Sequence, residues 1–198
     1  DAQVNIIFDE KLNDIIRGVG NGDLRITIAR DGKFNIFGEY EVERGEYLFT
    51  AWGVVAKPFQ VRRGGLITWT GDPVNANLNL EADYADLRAP VNILLAEYLV
   101  STNTNLEQQA RKRTRIDLTL KIGGTLYTPD VTFDIAFPEL QGELRTYADS
   151  KMITLRENEA DLNEQVAGLI MFRSFLPSSS LGSVFTTPLS IHTVFDTG

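Results

Sequence analysis

The amino-acid sequence predicts a mainly β fold, an antiparallel sheet followed by one C-terminal amphipathic helix. Apolar and polar residues alternate most clearly from Val74 to Tyr84. Glycine-containing turn signals separate the alternating segments, and apolar residues recur at helical spacing near the C-terminus. Strands that bury one face and expose the other are typical of antiparallel sheets.

Four further segments alternate in the same way: Asp23–Ile28, Phe34–Glu43, Arg115–Ile122 and Val131–Phe137. In the first of them, Leu24, Ile26 and Ile28 share one face. In the third, Thr119 falls opposite the apolar face. Turns are predicted at Gly20-Asn21-Gly22, Asp31-Gly32, Arg44-Gly45, Gly64-Gly65, Gly71-Asp72-Pro73 and Gly123-Gly124. Residues 20–90 offer no crossover helices, so a parallel sheet is disfavoured.

The predicted helix spans Glu159 to Phe175. Asn158 is the predicted N-cap, and Pro177 follows the far end. A weaker helix is predicted over Leu140–Ala148, and the polar stretch Tyr98–Arg113 is predicted to be a long loop. We expect one domain over residues 1–177 and a Ser/Thr-rich tail over residues 178–198.

Composition excludes several classes of function. The net charge of −8, from 19 basic and 27 acidic residues, disfavours nucleic-acid binding, which needs a basic surface. The chain has no cysteine, which removes disulfides, thiolate metal sites and cysteine nucleophiles. It has no export signal and no apolar run near the ~18 residues of a membrane span. We therefore expect a piece of a longer protein whose anchor lies elsewhere.

Catalytic motifs are weak throughout. His192 is the single histidine and supplies one ligand or base, which is not a site. The glycine run Gly18–Gly22 precedes a strand, whereas a phosphate-binding loop follows one. Asp72 lies in a turn without calcium-loop spacing, and most of the remaining acidic residues occupy polar strand faces. We expect no enzyme activity, no metal and no organic cofactor.

Two other features have structural explanations. The aromatic tract of Tyr47, Phe49, Trp52, Phe59 and Trp69 fits cross-strand packing. The basic run Arg111-Lys112-Arg113 fits a solvated loop, and contact with lipid headgroups or an acidic partner is the open alternative.

Four blocks carry a family resemblance. They read GEYEVERGEYLFT, KPFQVRRGGLITWTGDPVNANLNLEADY, LKIGGTLYTPDVTFDIAFPE and DLNEQVAGLIMFRSFLP. In this order they resemble the C-terminal domain of the TamB family, the translocation and assembly module subunit. The resemblance runs from about Gly20 to Pro177, and the block around Gly71-Asp72-Pro73 is its most specific part.

The resemblance implies a periplasmic segment of a bridge between the inner and outer membranes. Members are anchored in the inner membrane by an N-terminal helix and carry a sheet curled into an apolar groove (a β-taco). It also implies an outer-membrane barrel protein of the assembly superfamily as partner, and roles in phospholipid passage and outer-membrane biogenesis. It brings no catalytic residues.

Coverage of the apolar sheet face supports a groove independently. Nine strands at ~4.8 Å each extend on the order of 40 Å, whereas one helix of about 17 residues is ~25 Å long. The sheet must therefore curl or hold something apolar. Phospholipid acyl chains fit this need, and the predicted groove-lining residues are Leu78, Leu80, Tyr84, Leu118, Leu120, Val131, Phe133 and Ile135.

Two alternatives stay open at this point. The first is a protein-assembly module that docks a barrel partner by strand-edge pairing. The second is a β-sandwich with a hydrolase site, which the lone histidine and absent cysteine disfavour.

Overall fold

A computed structural model describes residues 2–9, 14–51, 55–100 and 104–177. Strands make up nearly half of the structure, about twice the ordinary share of ~20–25%. The predicted mainly β fold class is therefore confirmed. The strands are β1 Ala2–Asp9, β2 Asp14–Ile28, β3 Phe34–Ala51, β4 Val55–Val61, β5 Gly65–Gly71, β6 Asn77–Tyr84, β7 Arg88–Ala89, β8 Thr114–Arg115, β9 Asp117–Gly124 and β10 Pro129–Ala136. The helices are α1 Ala96–Leu99, α2 Thr104–Ala110, α3 Gly142–Glu157 and α4 Glu159–Phe172.

Eight strands form one sheet in the order β1-β2-β3-β4-β6-β9-β10, and β5 pairs with both β3 and β6. The short strands β7 and β8 form a separate ladder. Antiparallel register runs from β1 through β6, as the alternation predicts. The long strand β3 pairs with β5 along Ile36–Val42 and with β4 along Gly45–Ala51.

The β2–β3 hairpin confirms one predicted turn and corrects two. Its turn contains Asp31 and Gly32, whose φ of 83° favours glycine. Gly20-Asn21-Gly22 and Arg44-Gly45 lie instead inside β2 and β3. A Cβ on Gly20 would lie 2.0 Å from the Glu41 carbonyl oxygen. Glycine at this position therefore reflects close approach of two backbones, not a turn.

The chain divides into two compact units. The described part of the first comprises residues 2–83 and Leu120–Thr132, and that of the second comprises Tyr84–Thr119 and residues 133–177. β6, β9 and β10 contribute residues to both. The predicted single domain over 1–177 stays a prediction, and the predicted tail lies outside the described residues.

The first unit has an aromatic core, as the aromatic tract predicts. Tyr47 lies directly opposite Phe59 across β3 and β4, and both rings are fully buried. Phe49 makes edge contacts with each, at centroid distances of 5.9 Å. The indole Nε1 of Trp69 donates to the Pro73 carbonyl at 3.2 Å. Trp52 lies outside the described residues.

The second unit contains the two long helices. Asn158 caps α4, its side chain accepting from the Ala160 N–H, as predicted. The helix ends at Phe172 and not at Phe175, because Arg173 adopts a left-handed conformation. Gln165 then holds the chain beyond it by bonding both the N–H and the carbonyl of Leu176, at 2.9 and 3.1 Å.

Two helix predictions need correction. The weak helix over Leu140–Ala148 is α3, which continues to Glu157 and buries Leu144, Ala148, Met152 and Leu155. The C-terminal part therefore has two long helices, not one. The predicted loop Tyr98–Arg113 contains α2, which buries Ala110. Its polar residues support the helix locally, because Arg111 pairs with Glu107 at 2.6 Å.

A charged junction fixes the loop after β10. The Arg115 backbone N–H and the Arg88 guanidinium hold the pKa of Glu139 below its ordinary value. Their distances to the Glu139 carboxylate are 3.1 and 2.9 Å. Because these groups are exposed, the junction positions the loop more than it stabilises the fold.

Candidate functional site: an apolar shelf on the β2–β3 hairpin

The predicted groove residues are mostly core residues. Protein atoms bury six of the eight: Leu78, Leu80, Leu118, Leu120, Phe133 and Ile135. Tyr84 and Val131 are half-buried. The set is divided between the two units, so its role as the lining of one groove stays a prediction.

Exposed apolar side chains lie instead near the end of the β2–β3 hairpin. Leu24, Ile26, Ile28 and Phe34 are exposed by 39, 57, 73 and 44%. Ile28 faces Phe34 across the two strands, and Ile26 faces the half-buried Ile36. Directly opposed residues project from the same face of a sheet. We call these five side chains the apolar shelf.

The shelf is the exposed end of a longer apolar face. Across β3 and β5, Tyr40 pairs with Ile67, and Ile67 in turn pairs with Leu78 on β6. These three residues are buried. Tyr40 is four residues from Ile36 along β3, so the two side chains project from the same face of the sheet. The shelf therefore joins the side of the sheet that carries Leu78 and Leu80.

A glycine forms the boundary between the shelf and the core. Gly38 lies opposite Leu24 on one side and Trp69 on the other. Its φ is +124°, and a Cβ there would lie 2.0 Å from the Asp23 carbonyl oxygen. The position therefore requires glycine and places no side chain between the shelf and Trp69.

The size of the shelf suits an extended hydrocarbon. Leu24 to Ile28 covers ~13 Å along the strand, and β2 and β3 lie ~4.8 Å apart. Covering a half-exposed isoleucine contributes roughly 1 kcal/mol, since complete burial of such a side chain contributes about 1.5–3 kcal/mol. None of the five side chains carries a polar group, so the shelf can contact a ligand only through apolar surface.

The opposite face of the hairpin is polar and acidic. Asp23 pairs in register with Glu39, and Asn21 donates to Glu43 at 2.8 Å. The Arg25 guanidinium lies 5.2 Å from the centre of the Phe37 ring. This face borders a shallow depression of about 350 Å³. Among the described residues, no three histidine, cysteine or acidic side chains converge to hold a metal.

The predicted surface features have separate outcomes. Arg111, Lys112 and Arg113 are exposed, as the solvated-loop interpretation predicts. His192 lies outside the part of the chain that the structure describes. No helix in the described ranges is long and apolar enough to cross a membrane.

Sequence alternation could have located the shelf, because Leu24, Ile26, Ile28, Phe34 and Ile36 are all at period-two spacing. Alternation does not show, however, whether other parts of the protein bury that apolar face. The pattern looks the same whether an apolar face is covered or open, and only the structure distinguishes the shelf from the core.

Comparison with known families identifies the chain. A search of curated proteins found no match. The family model described as the TamB C-terminal domain matches residues 1–192, nearly the whole chain. The chain therefore belongs to the TamB C-terminal domain family, a family of transport and assembly modules of the cell envelope.

Proposed function

We propose that this chain holds phospholipid acyl chains along the apolar face of its sheet, with the shelf as the entry. The exposed, in-register apolar residues of the β2–β3 hairpin carry this proposal. An apolar surface of this kind, bordered by polar residues, is typical of binding sites. Acyl chains are bound by area, without specific polar contacts.

In this proposal the chain is the periplasmic part of a bridge from the inner to the outer membrane. The anchor in the inner membrane belongs to another part of the protein. Passage of phospholipid along the curled sheet supports outer-membrane biogenesis. Within the first unit, the path continues along the side of the sheet that carries Leu78 and Leu80, which protein atoms cover in this structure. At the shelf itself, lipid contact requires no movement of the described protein groups, because Leu24, Ile26, Ile28 and Phe34 are already exposed.

A second candidate function is docking of an outer-membrane barrel partner by strand-edge pairing. One observation favours it. From Asn21 to Ile28, β2 pairs with β3 and, among the described residues, has no strand on its other side. The backbone N–H and C=O groups of such an edge can pair with a strand of another protein.

Native mass spectrometry of the purified protein separates the two functions. We expect phospholipid to co-purify and to add a discrete mass to the folded chain. A lipid-free chain that forms a strand-paired complex with a barrel protein would favour the second function and contradict the first.

A further inference from the structure

The turn of the β2–β3 hairpin carries two cations directly beside the apolar shelf. The strands close at the pair Ile28 and Phe34, and residues 29–33 form the turn. Arg30 and Lys33 lie in this turn, within two residues of the shelf. A phospholipid has its phosphate at one end of its acyl chains. The cationic turn next to the apolar shelf has the complementary arrangement.

We propose that the turn binds the phosphate of a phospholipid whose acyl chains lie on the shelf. This inference rests on the lipid function proposed above and adds the chemistry at one end of the site. The headgroup stays in solvent at the exposed turn. The acyl chains run toward Leu24 and the buried face beyond it.

Hydrogen bonds hold the turn in one shape. The Ala29 N–H donates to the Lys33 carbonyl at 2.8 Å, and the Gly32 N–H donates to the Ala29 carbonyl at 2.9 Å. The Asp31 carboxylate accepts the Lys33 backbone N–H at 3.1 Å. These bonds hold the Cα atoms of Arg30 and Lys33 close to the shelf, while the two long side chains can still reach a phosphate.

The charges of the turn favour an anion despite the acidic chain. Arg30 makes no ion pair with any described residue. Lys33 lies 3.7 Å from Asp31 in a pair whose side chains are 80 and 57% exposed. Such a pair is weak, so the lysine is available to a phosphate. The two cations outnumber the one carboxylate, although the whole chain carries −8.

The test compares lipids that share acyl chains and differ in the headgroup. Dioleoyl phosphatidylglycerol carries the phosphate, and dioleoylglycerol lacks it. We expect Arg30→Gln/Lys33→Gln to weaken phosphatidylglycerol binding by on the order of tenfold, because each cation near a lipid phosphate contributes a few-fold. Binding of dioleoylglycerol and the melting temperature should not change.

A matched control removes the same charge elsewhere. Arg63 and Lys121 are exposed, and Arg63→Gln/Lys121→Gln should bind both lipids like the unmodified protein. Equal loss of phosphatidylglycerol in both double variants would overturn the proposal, because net charge would then explain it. Unchanged binding, or equal loss of both lipids, in the turn variant would overturn it too. If the unmodified protein binds neither lipid, the proposed function itself fails.

Discussion

Leu120→Arg is expected to unfold the first unit. Leu120 has no exposed surface, so an arginine there is placed among apolar side chains and cannot reach water along its stem. A buried unpaired charge costs several kcal/mol, which is a large part of a typical stability of ~5–15 kcal/mol. Circular dichroism during heating should show a lower or absent cooperative transition.

Asn79→Arg is the matched control, because Asn79 is exposed on β6. It should melt like the unmodified protein. Thr119→Arg, on the predicted polar face of β9, is not a neutral control, since Thr119 is 8% exposed. A folded Leu120→Arg protein with normal melting would contradict the core position of Leu120 and would support a wet groove at β9.

Ile26→Thr/Ile28→Thr is expected to leave the protein folded and to reduce bound phospholipid at least tenfold. Threonine keeps the β-branched shape that strands favour and leaves the net charge unchanged. Both isoleucines are more than half exposed, so little packing is lost. The two lost apolar contacts contribute roughly 1 kcal/mol each, and 1.4 kcal/mol corresponds to tenfold. Quantitative lipid extraction and the melting temperature measure the two effects.

Exposed apolar side chains elsewhere provide the control for this variant. Ile153 and Met171 are 61 and 39% exposed on α3 and α4, and glutamine is a good helix former. Ile153→Gln/Met171→Gln should retain its lipid. Loss of lipid from both double variants would show a general effect of surface apolarity and would remove the special role of the shelf.

Alternation predicted the strand faces well, because its period of two follows directly from strand geometry. Each of the five alternating segments contains a strand. Val74 and Asn75, however, belong to a short 3-10 helix that precedes β6, and β2 and β3 extend well beyond the predicted limits. The predicted turns at Gly20-Asn21-Gly22 and Arg44-Gly45 were wrong because glycine has two uses. It permits turns, and it also permits a neighbouring backbone to approach, as Gly20 does with Glu41.

Helices were harder to predict where polar residues dominate. α2 has one buried residue, Ala110, and its i,i+4 pairs do not produce an apolar stripe. α4 has such a stripe and a capping asparagine, and its start was predicted correctly. Its end depends on the left-handed conformation of Arg173, which residue spacing within the helix does not reveal.

The proposed shelf includes none of the eight residues that the sequence singled out, whose role as a groove stays a prediction. Sequence and family resemblance favour an apolar groove, and they selected residues such as Leu80 and Leu120 from the clearest alternation. These are the residues that the protein itself covers. Which part of that face stays exposed depends on which strands are covered by other parts of the protein. This is a property of tertiary packing that a local sequence pattern does not contain.

Photo-crosslinking at neighbouring positions of β2 tests the lipid site most directly. Ile26 and Thr27 are adjacent and both exposed, and they point to opposite faces of the sheet. A benzophenone side chain at position 26, irradiated in the presence of phospholipid, should give a lipid adduct, and the same group at position 27 should not. Equal lipid adducts at both positions, or none at position 26, would contradict acyl-chain binding on the shelf.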